Sequence, residues 1–479
     1  MSNNTAPDNI FDLSPFVKSG EDITSVLQTA IFNIPTSGSI SIPFGSYLVT
    51  GQIDNGAKKI RILFNGSTLT VNSSFTGSMF YNDTAGGKLT LENGILDGNK
   101  TSYTITGYGI NIGSSATSPL ISNMTLQNFP DNGGNLYGTG NLFVINSSSN
   151  NNGGVGWFGK TTGNVSFHNC NATGNVGGGG AFSGTTGTEV IGGNWSNNTF
   201  IGLGPYWGNN GASFASNARV IGTNCSNNTG TGLAIGQGIV YATVVGNTCT
   251  NNTVLGINID TILNDGVTPE NAYCSVVGNT VTGGQLPIRW NGAIGGAIIG
   301  NTIIDPTVAG NGGIYVLGNS NKVQIDSNTL IGTYAFIQVQ SGSTVTIGSN
   351  NSFIGLSSSI PPIQGSGVTQ QSTSYWSENT NTTFGNVLPA DLYDIDTTSA
   401  SFTKTLPPAA TVGNNQRIIF YKKVAANSLT IQLSGTDHFY KSDGTSTTSA
   451  DTYTNKGPTS TYISINDGSN VGWFKIPSY

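Results

Sequence analysis

VIGGNW from Val190, VIGTNC from Val220 and VVGNTC from Val244 are one segment written three times. VSFHNC from Val165 reads as an earlier copy, and VVGNTV from Val276, IIGNTI from Ile298 and IDSNTL from Ile325 as later ones. The starts are 25, 30, 24, 32, 22 and 27 residues apart. Five positions into each copy stands an apolar residue: Cys170, Trp195, Cys225, Cys249, Val281, Ile303, Leu330. Turn residues follow at Asn197, Asn227, Asn251 and Gly283, and then a second strand: GLGPYW, GLAIGQ, GINIDT, PIRWNG, GIYVLG. A strand–turn–strand unit this short cannot bury its apolar face alone. Stacking copies at the strand spacing of about 4.8 Å buries a continuous core. The expected fold is all-β, a right-handed single-stranded parallel β-helix.

Composition agrees. The 479 residues include 68 Gly, and only 8% are charged, against roughly 25% in an ordinary globular protein. Gly without a three-residue period excludes collagen, and the missing charged helix surface excludes a bundle. Asn stacked at turns can hydrogen-bond along such a stack, which accounts for its abundance. The net charge of −6 and the lack of a basic patch argue against nucleic acid. No apolar run reaches membrane-spanning length, and the first twenty residues hold no apolar signal core. Four Cys do not make a disulfide scaffold; Cys225 and Cys249, on adjacent copies, could approach bonding distance. No metal motif and no cofactor is expected.

Residues 1–35 read as an N-terminal segment with a capping helix. Ile23, Val26, Leu27, Ala30 and Ile31 share one side of it and would cover the open first coil. The shaft is expected over 36–360 and a linker over 361–384. In 385–479 charge rises to 14 residues in 95, against 8 in the 200 of 101–300. Short alternating runs there (QRIIFYKKV, SLTIQL, TYISIN) predict a separate C-terminal antiparallel β-sandwich.

The capping helix followed by Pro43-x-Gly45-x-Tyr47 resembles the entry of pectate-lyase-like right-handed β-helices, phage tailspikes among them. The C-terminal order LPPAA, an apolar-basic strand, LTI and DGSNVGWF resembles the terminal modules of tail fibres and tailspikes. The resemblance implies a homotrimer on a virion tail, held by an adapter or baseplate protein, with the last module trimerising or shielding the shaft. It implies a bacterial surface polysaccharide as partner. Pectin hydrolysis of the polygalacturonase type is not expected, since the chain lacks Gly-His-Gly and any Asp-Asp pair.

Because charge is scarce, each charged residue in the shaft is informative. Aligning the second strands gives inward rows Leu203, Leu233, Ile257, Ile288, Ile314 and Pro205, Ile235, Ile259, Trp290, Val316. The alternating rows point outward and bring Tyr206, Asn258, Asp260, Arg289, Asn291 and Tyr315 to one face, with Trp207 beside it. Rings stack on sugars, and amides and Arg bind hydroxyl or acidic groups. The insertion LNDGVTPENAY could fold Asp265 and Glu270 over this face. Glycoside hydrolysis needs two carboxyl groups at about 5–5.5 Å for retention or 6.5–9.5 Å for inversion. Asp260 with Asp265 or Glu270 is the candidate pair. Tyr206, Trp207, Asn258, Arg289, Asn291 and Tyr315 are the candidate substrate contacts. A lyase would use a base such as His168, Lys160 or Tyr206 beside an Arg. A non-catalytic adhesin would use the same face, and an ice-binding solenoid leaves the aromatics unexplained. Glu189 and Arg219, at equivalent positions on adjacent copies, predict a stacked ion pair, and Asp97 a structural turn.

Overall fold

The computed structural model describes residues 10–73, 75–100, 107–184, 186–205, 217–236, 239, 241–260, 273–304, 312–348 and 350–356. Beyond these it describes the strands and short connections within 363–365, 368–370, 375–378, 392–395, 401–406, 417–422, 427–433, 437–440, 445–455, 457–466 and 471–476. The chain divides into two compact units, Met1–Gly266 and Val267–Tyr479.

In the first unit the coils run over three parallel sheets. One coil contributes Asn164–His168 to the first sheet, Asn171–Thr173 to the second and Gly178–Gly184 to the third. The next coil then returns to the first sheet at Gly187–Ile191. A residue in left-handed conformation turns each first corner: Asn146, Asn169, Gly192, Gly222, Gly246. That is why Asn or Gly recurs there, being the residues that tolerate positive φ. This is the right-handed parallel β-helix the repeats predict.

The expected inward rows are inward: Leu203, Leu233, Ile257, Ile235 and Ile259 are fully buried. So are Cys170, Trp195, Cys225 and Cys249. One alignment is corrected. Phe167, not Val165, pairs with Val190, so the partner of Trp195 is Ala172 rather than Cys170. A slip of two residues leaves every side chain on its own face, so Cys170 stays buried and apolar pattern alone could not detect the error. All four cysteines are free. A hydrogen bond with Cys225, together with burial, holds the Cys249 thiol well above its ordinary pKa.

Asparagines fill the second corner from inside. Asn152, Asn175, Asn198, Asn228 and Asn252 are buried and stacked, and each Nδ2 donates to the next Oδ1 at 2.9–3.1 Å. Each Oδ1 also accepts the backbone N–H of the coil before it at 3.0 Å.

The helix, Thr24–Asn33, buries Leu27, Ala30 and Ile31 against the first coil. Gln28 exchanges two hydrogen bonds with the backbone of Asp54, so an edge strand of the third sheet is satisfied by a side chain. Lys58 Nζ caps the Ile31 and Phe32 carbonyls at the helix end. Within the Pro-x-Gly-x-Tyr motif, Tyr47 donates to the Pro43 carbonyl at 3.0 Å, and a Cβ at Gly45 would stand 2.9 Å from its hydroxyl. The N-terminal segment also holds a strand, Ile10–Asp12, paired in parallel with Ser37–Ser41.

The second unit is also built of parallel coils, with its own ladder Asn279, Asn301, Asn328, Asn351. The stretch 361–384, read as a linker, carries further coil strands. Ile363–Gly365, Val368–Gln370 and Tyr375–Glu378 each pair in parallel with the coil before. The C-terminal module is not separate either. Leu392–Ile395 pairs in parallel with Tyr375–Glu378, and Arg417–Lys422 pairs in parallel with Leu392–Ile395. Only beyond that do antiparallel pairings begin, between 417–422, 457–466 and 471–476 and between 429–432 and 451–453. The module's core of Leu406, Ile418, Phe420, Leu429, Ile431, Phe439, Tyr462 and Trp473 includes Phe336 and Leu356 of the last coils. Short apolar runs bounded by Pro, Gly and Ser do not reveal whether the next pairing is parallel or antiparallel, because both bury alternate residues.

Candidate functional site

The outer face of the third sheet in the first unit holds a groove of about 380 Å³, within the range of small-molecule sites. Asn135, Phe158 and Ala181 form one row across adjacent strands, and Lys160 and Ser183 the next. Tyr137 follows Leu136 at the strand end and meets Phe158 with ring centroids 5.5 Å apart. The alternation in VGWFGKT sets these directions: Trp157 turns in and is fully buried, so Phe158 and Lys160 turn out.

Phe200 closes the groove at its other side and is 65% exposed. Its neighbours at this corner are Gly177 and Gly230. A Cβ at Gly177 would stand 2.8 Å from backbone of the coil before, and one at Gly230 would stand 2.0 Å from the Phe200 carbonyl. Close backbone stacking therefore demands glycine on both sides and leaves the Phe200 ring uncovered. Beneath the groove Phe167 stacks on Phe182 at 4.2 Å, and Trp195 meets Phe182 edge-on at 5.6 Å. Such interlocked rings make a rigid floor. Burial raises the Tyr137 phenol pKa. It also raises that of Tyr108, with the charge of Asp131 and a hydrogen bond to it adding to the effect. Both phenols stay neutral, as donors suited to sugar oxygens.

No family model matches the chain, and no curated protein matches it by sequence. Solved structures do match in fold. The mannuronan C-5 epimerase AlgE4 A-module of Azotobacter vinelandii superposes with a TM-score of 0.52 at 16% identity, over 75% of this chain and 100% of that one. The Dettilon tailspike protein gives 0.40 at 18% identity, over 72% of this chain and 68% of that one. Tailspike protein 3 of bacteriophage CBA120 gives 0.38 at 12%, over 97% and 68%. The likeness is one of fold, the right-handed parallel β-helix.

The β-helix places the sequence-derived candidates as follows. Asn258 and Asp260 lie on Leu255–Asp260 of the first unit, both half-buried, Asn258 between the buried Ile257 and Ile259 and Asp260 after Ile259. Asn258 continues the outward row through Ala234, and its Oδ1 is buried with no hydrogen-bond partner. Tyr206, Trp207, Asp265 and Glu270 lie outside the described residues. Arg289 and Tyr315 belong to the second unit, where they are paired neighbours, both half-buried. Asn291 is corrected: at 5% exposure it is buried, not on an outer face. It ends its strand beside the turn at Gly292, φ +80°, where alternation breaks and two consecutive residues are enclosed.

The expected ion pair is present, with Arg219 Nη1 2.6 Å from Glu189 Oε2. Sequence reasoning missed its third member, His168, whose Nε2 lies 2.9 Å from Glu189 Oε1. His168 stands diagonally across the strand pair, two residues beyond the Ser166 that faces Glu189. Asp97 is structural as expected: it accepts from Gln127, Asn128 and the Asn99 backbone. The groove aromatics Tyr137, Phe158 and Phe200 were also missed. Carrying the second-strand alignment back to GWFGKT would have found Phe158 and Lys160. Among the described residues there is no cluster able to hold a metal ion, and no helix is long and apolar enough to cross a membrane.

Proposed function

We propose that the chain is a tailspike-type protein of a phage tail that binds a bacterial surface polysaccharide along the outer face of the third sheet and cleaves it. The observation that carries this reading is the groove. Three outward rings, Tyr137, Phe158 and Phe200, surround one cation, Lys160, on a rigid floor. Ring faces stack on the apolar faces of pyranoses, and a rigid floor holds them ready without ordering cost. The neutral phenol and Ser183 supply hydrogen bonds. The likeness to tailspike proteins in fold agrees with this use.

Within the proposal, cleavage is glycoside hydrolysis at Asp260, with Asp265 or Glu270 as the second carboxyl. Lys160 favours one other chemistry. Its ammonium could neutralise a uronate and so assist removal of the proton beside that carboxylate, which is a lyase reaction. Incubation with purified capsules and O-antigens separates the outcomes. New reducing ends without an unsaturated uronate indicate hydrolysis, and ultraviolet absorbance of an unsaturated product indicates a lyase. Binding without products would leave a recognition spike alone.

Phe200→Ala should weaken polysaccharide binding about tenfold, the value of one good aromatic contact. It should leave the melting temperature almost unchanged, because the ring is exposed. Unchanged affinity in both Phe200→Ala and Phe158→Ala would remove the groove from the binding surface. Homotrimeric assembly and attachment through a virion adapter belong to the same proposal. Light scattering that returns a monomer of 49.5 kDa at micromolar concentration would reject the trimer.

A further inference from the structure

The chemistry of the groove does not end at Phe158. That residue is the last of four outward side chains on adjacent strands of the third sheet, Tyr81, Asn111, Asn135 and Phe158, each directly opposite the next. Their strands are Phe80–Asn82, Ile110–Ile112, Gly134–Leu136 and Val155–Thr161. The flanking Phe80, Asn82, Ile110, Ile112, Leu136 and Trp157 are buried, so strand alternation turns all four out. Three strand spacings, about 14 Å, separate Tyr81 from Phe158.

Three features distinguish this row from ordinary solvated strand surface. First, its amides are oriented: Asn135 Nδ2 donates to Asn111 Oδ1 at 2.8 Å. Among the described residues that leaves the Asn111 Nδ2 donor and the Asn135 Oδ1 acceptor without side-chain partners, one for each sense of hydrogen bond with a sugar hydroxyl. Second, Tyr81 repeats the groove's own chemistry, a half-buried outward ring whose hydroxyl pairs with no described residue. Third, the exposed Asp83, two residues on, holds its carboxylate against the outer face. Its Oδ1 accepts the Ser115 N–H at 3.0 Å. A Cβ at Gly113 would collide with the carboxyl group, so glycine there lets it lie flat.

We propose that Tyr81, Asn111 and Asp83 form a further sugar subsite in line with the groove, which takes a neutral, hydroxyl-bearing unit of the same polysaccharide. The proposal rests on the reading of the groove as the glycan-binding surface. A pyranose in an extended glycan advances by about one strand spacing, so a chain with one unit at Phe158 reaches Tyr81 three units later. Tyr81 supplies a ring face, the amide pair meets the hydroxyls of the units between, and Asp83 accepts from hydroxyls at the far end. Charge selects the class. Lys160, half-buried and without a carboxylate partner among the described residues, attracts an acidic unit at the groove, whereas Asp83 repels one at its own end.

The test uses the full chain and the purified capsule or O-antigen that it retains most strongly, cut by mild acid into fragments of two to six sugars and titrated calorimetrically. Affinity should rise with length up to at least four sugars. Tyr81→Ala and Asn111→Ala should each bind fragments of four or more about tenfold more weakly. Both should bind two-sugar fragments as the parent does, which also shows that they are folded. Tyr81→Leu, which keeps bulk without a stacking ring, replaces Tyr81→Ala if the latter melts early. Asp83→Asn should weaken the longer fragments in the same way, by less. The proposal is overturned if both row variants bind every length like the parent, or if they lose short and long fragments alike at an unchanged melting temperature. It is overturned as well if Asp83→Asn strengthens binding, which would put an acidic unit there. Failure of the groove reading looks different: Phe158→Ala and Phe200→Ala would then keep full affinity for two-sugar fragments. Retention of no capsule or O-antigen overturns both.

Discussion

Asn198→Ala should lower the stability of the shaft by about 4–6 kcal/mol, among the largest effects of a single substitution. The Asn198 amide makes four side-chain hydrogen bonds. Its Oδ1 accepts from the backbone N–H and the Nδ2 of Asn175, both at 3.0 Å. Its Nδ2 donates to the Ala172 carbonyl at 3.0 Å and to Asn228 Oδ1 at 3.1 Å. All of this lies in the interior, with Asn198 1% exposed. Truncation strands two donors and a carbonyl away from water, at about 1–3 kcal/mol each. Asn198→Asp should do no better, because a carboxylate oxygen would then face two acceptors and bury a charge. The residue before it is the control. Asn197 has φ +59°, which Gly adopts freely, so Asn197→Gly should stay within about 1 kcal/mol of the parent. Thermal and denaturant unfolding followed by circular dichroism decide the matter. A ladder variant as stable as the Asn197 variant would show that the amide stack contributes nothing.

Asp260→Asn should cut turnover about a thousandfold while leaving polysaccharide binding nearly unchanged. That split separates loss of an acid, base or nucleophile from loss of a contact. Its carboxyl ends the strand that also presents Asn258, whose unpartnered Oδ1 can accept from a sugar hydroxyl. Asn258→Ala should therefore act mainly on affinity. Full activity in Asp260→Asn would move the chemistry elsewhere, first to the Glu189 region or to a groove completed by a neighbouring subunit.

Much of the fold was legible because a parallel β-helix writes two periods into its sequence. Alternation by two sets which side chains turn in, and a recurrence every 22–32 residues sets which of them stack. Hence Leu203, Leu233 and Ile257 could be aligned as a buried row, and Glu189 and Arg219 as neighbours, without coordinates. His168 escaped because it reaches Glu189 along a diagonal, and the repeat specifies only the residue directly opposite. The groove escaped because Phe158 and Phe200 come from different parts of the coil, a strand and a corner, that no single row contains.

By itself the sequence determined the coil, its inward rows and the residues at its corners. The reason is local: inward positions need apolar side chains, and left-handed corners need Asn or Gly. Tertiary structure alone decided the absolute register, where Phe167 rather than Val165 meets Val190. It also decided that 363–365, 368–370 and 375–378 are coil strands, that the C-terminal core encloses Phe336 and Leu356, and that Asn291 is covered. Each of these turns on which surface a segment meets, and a slip of two residues or a change from parallel to antiparallel pairing leaves the apolar pattern the same.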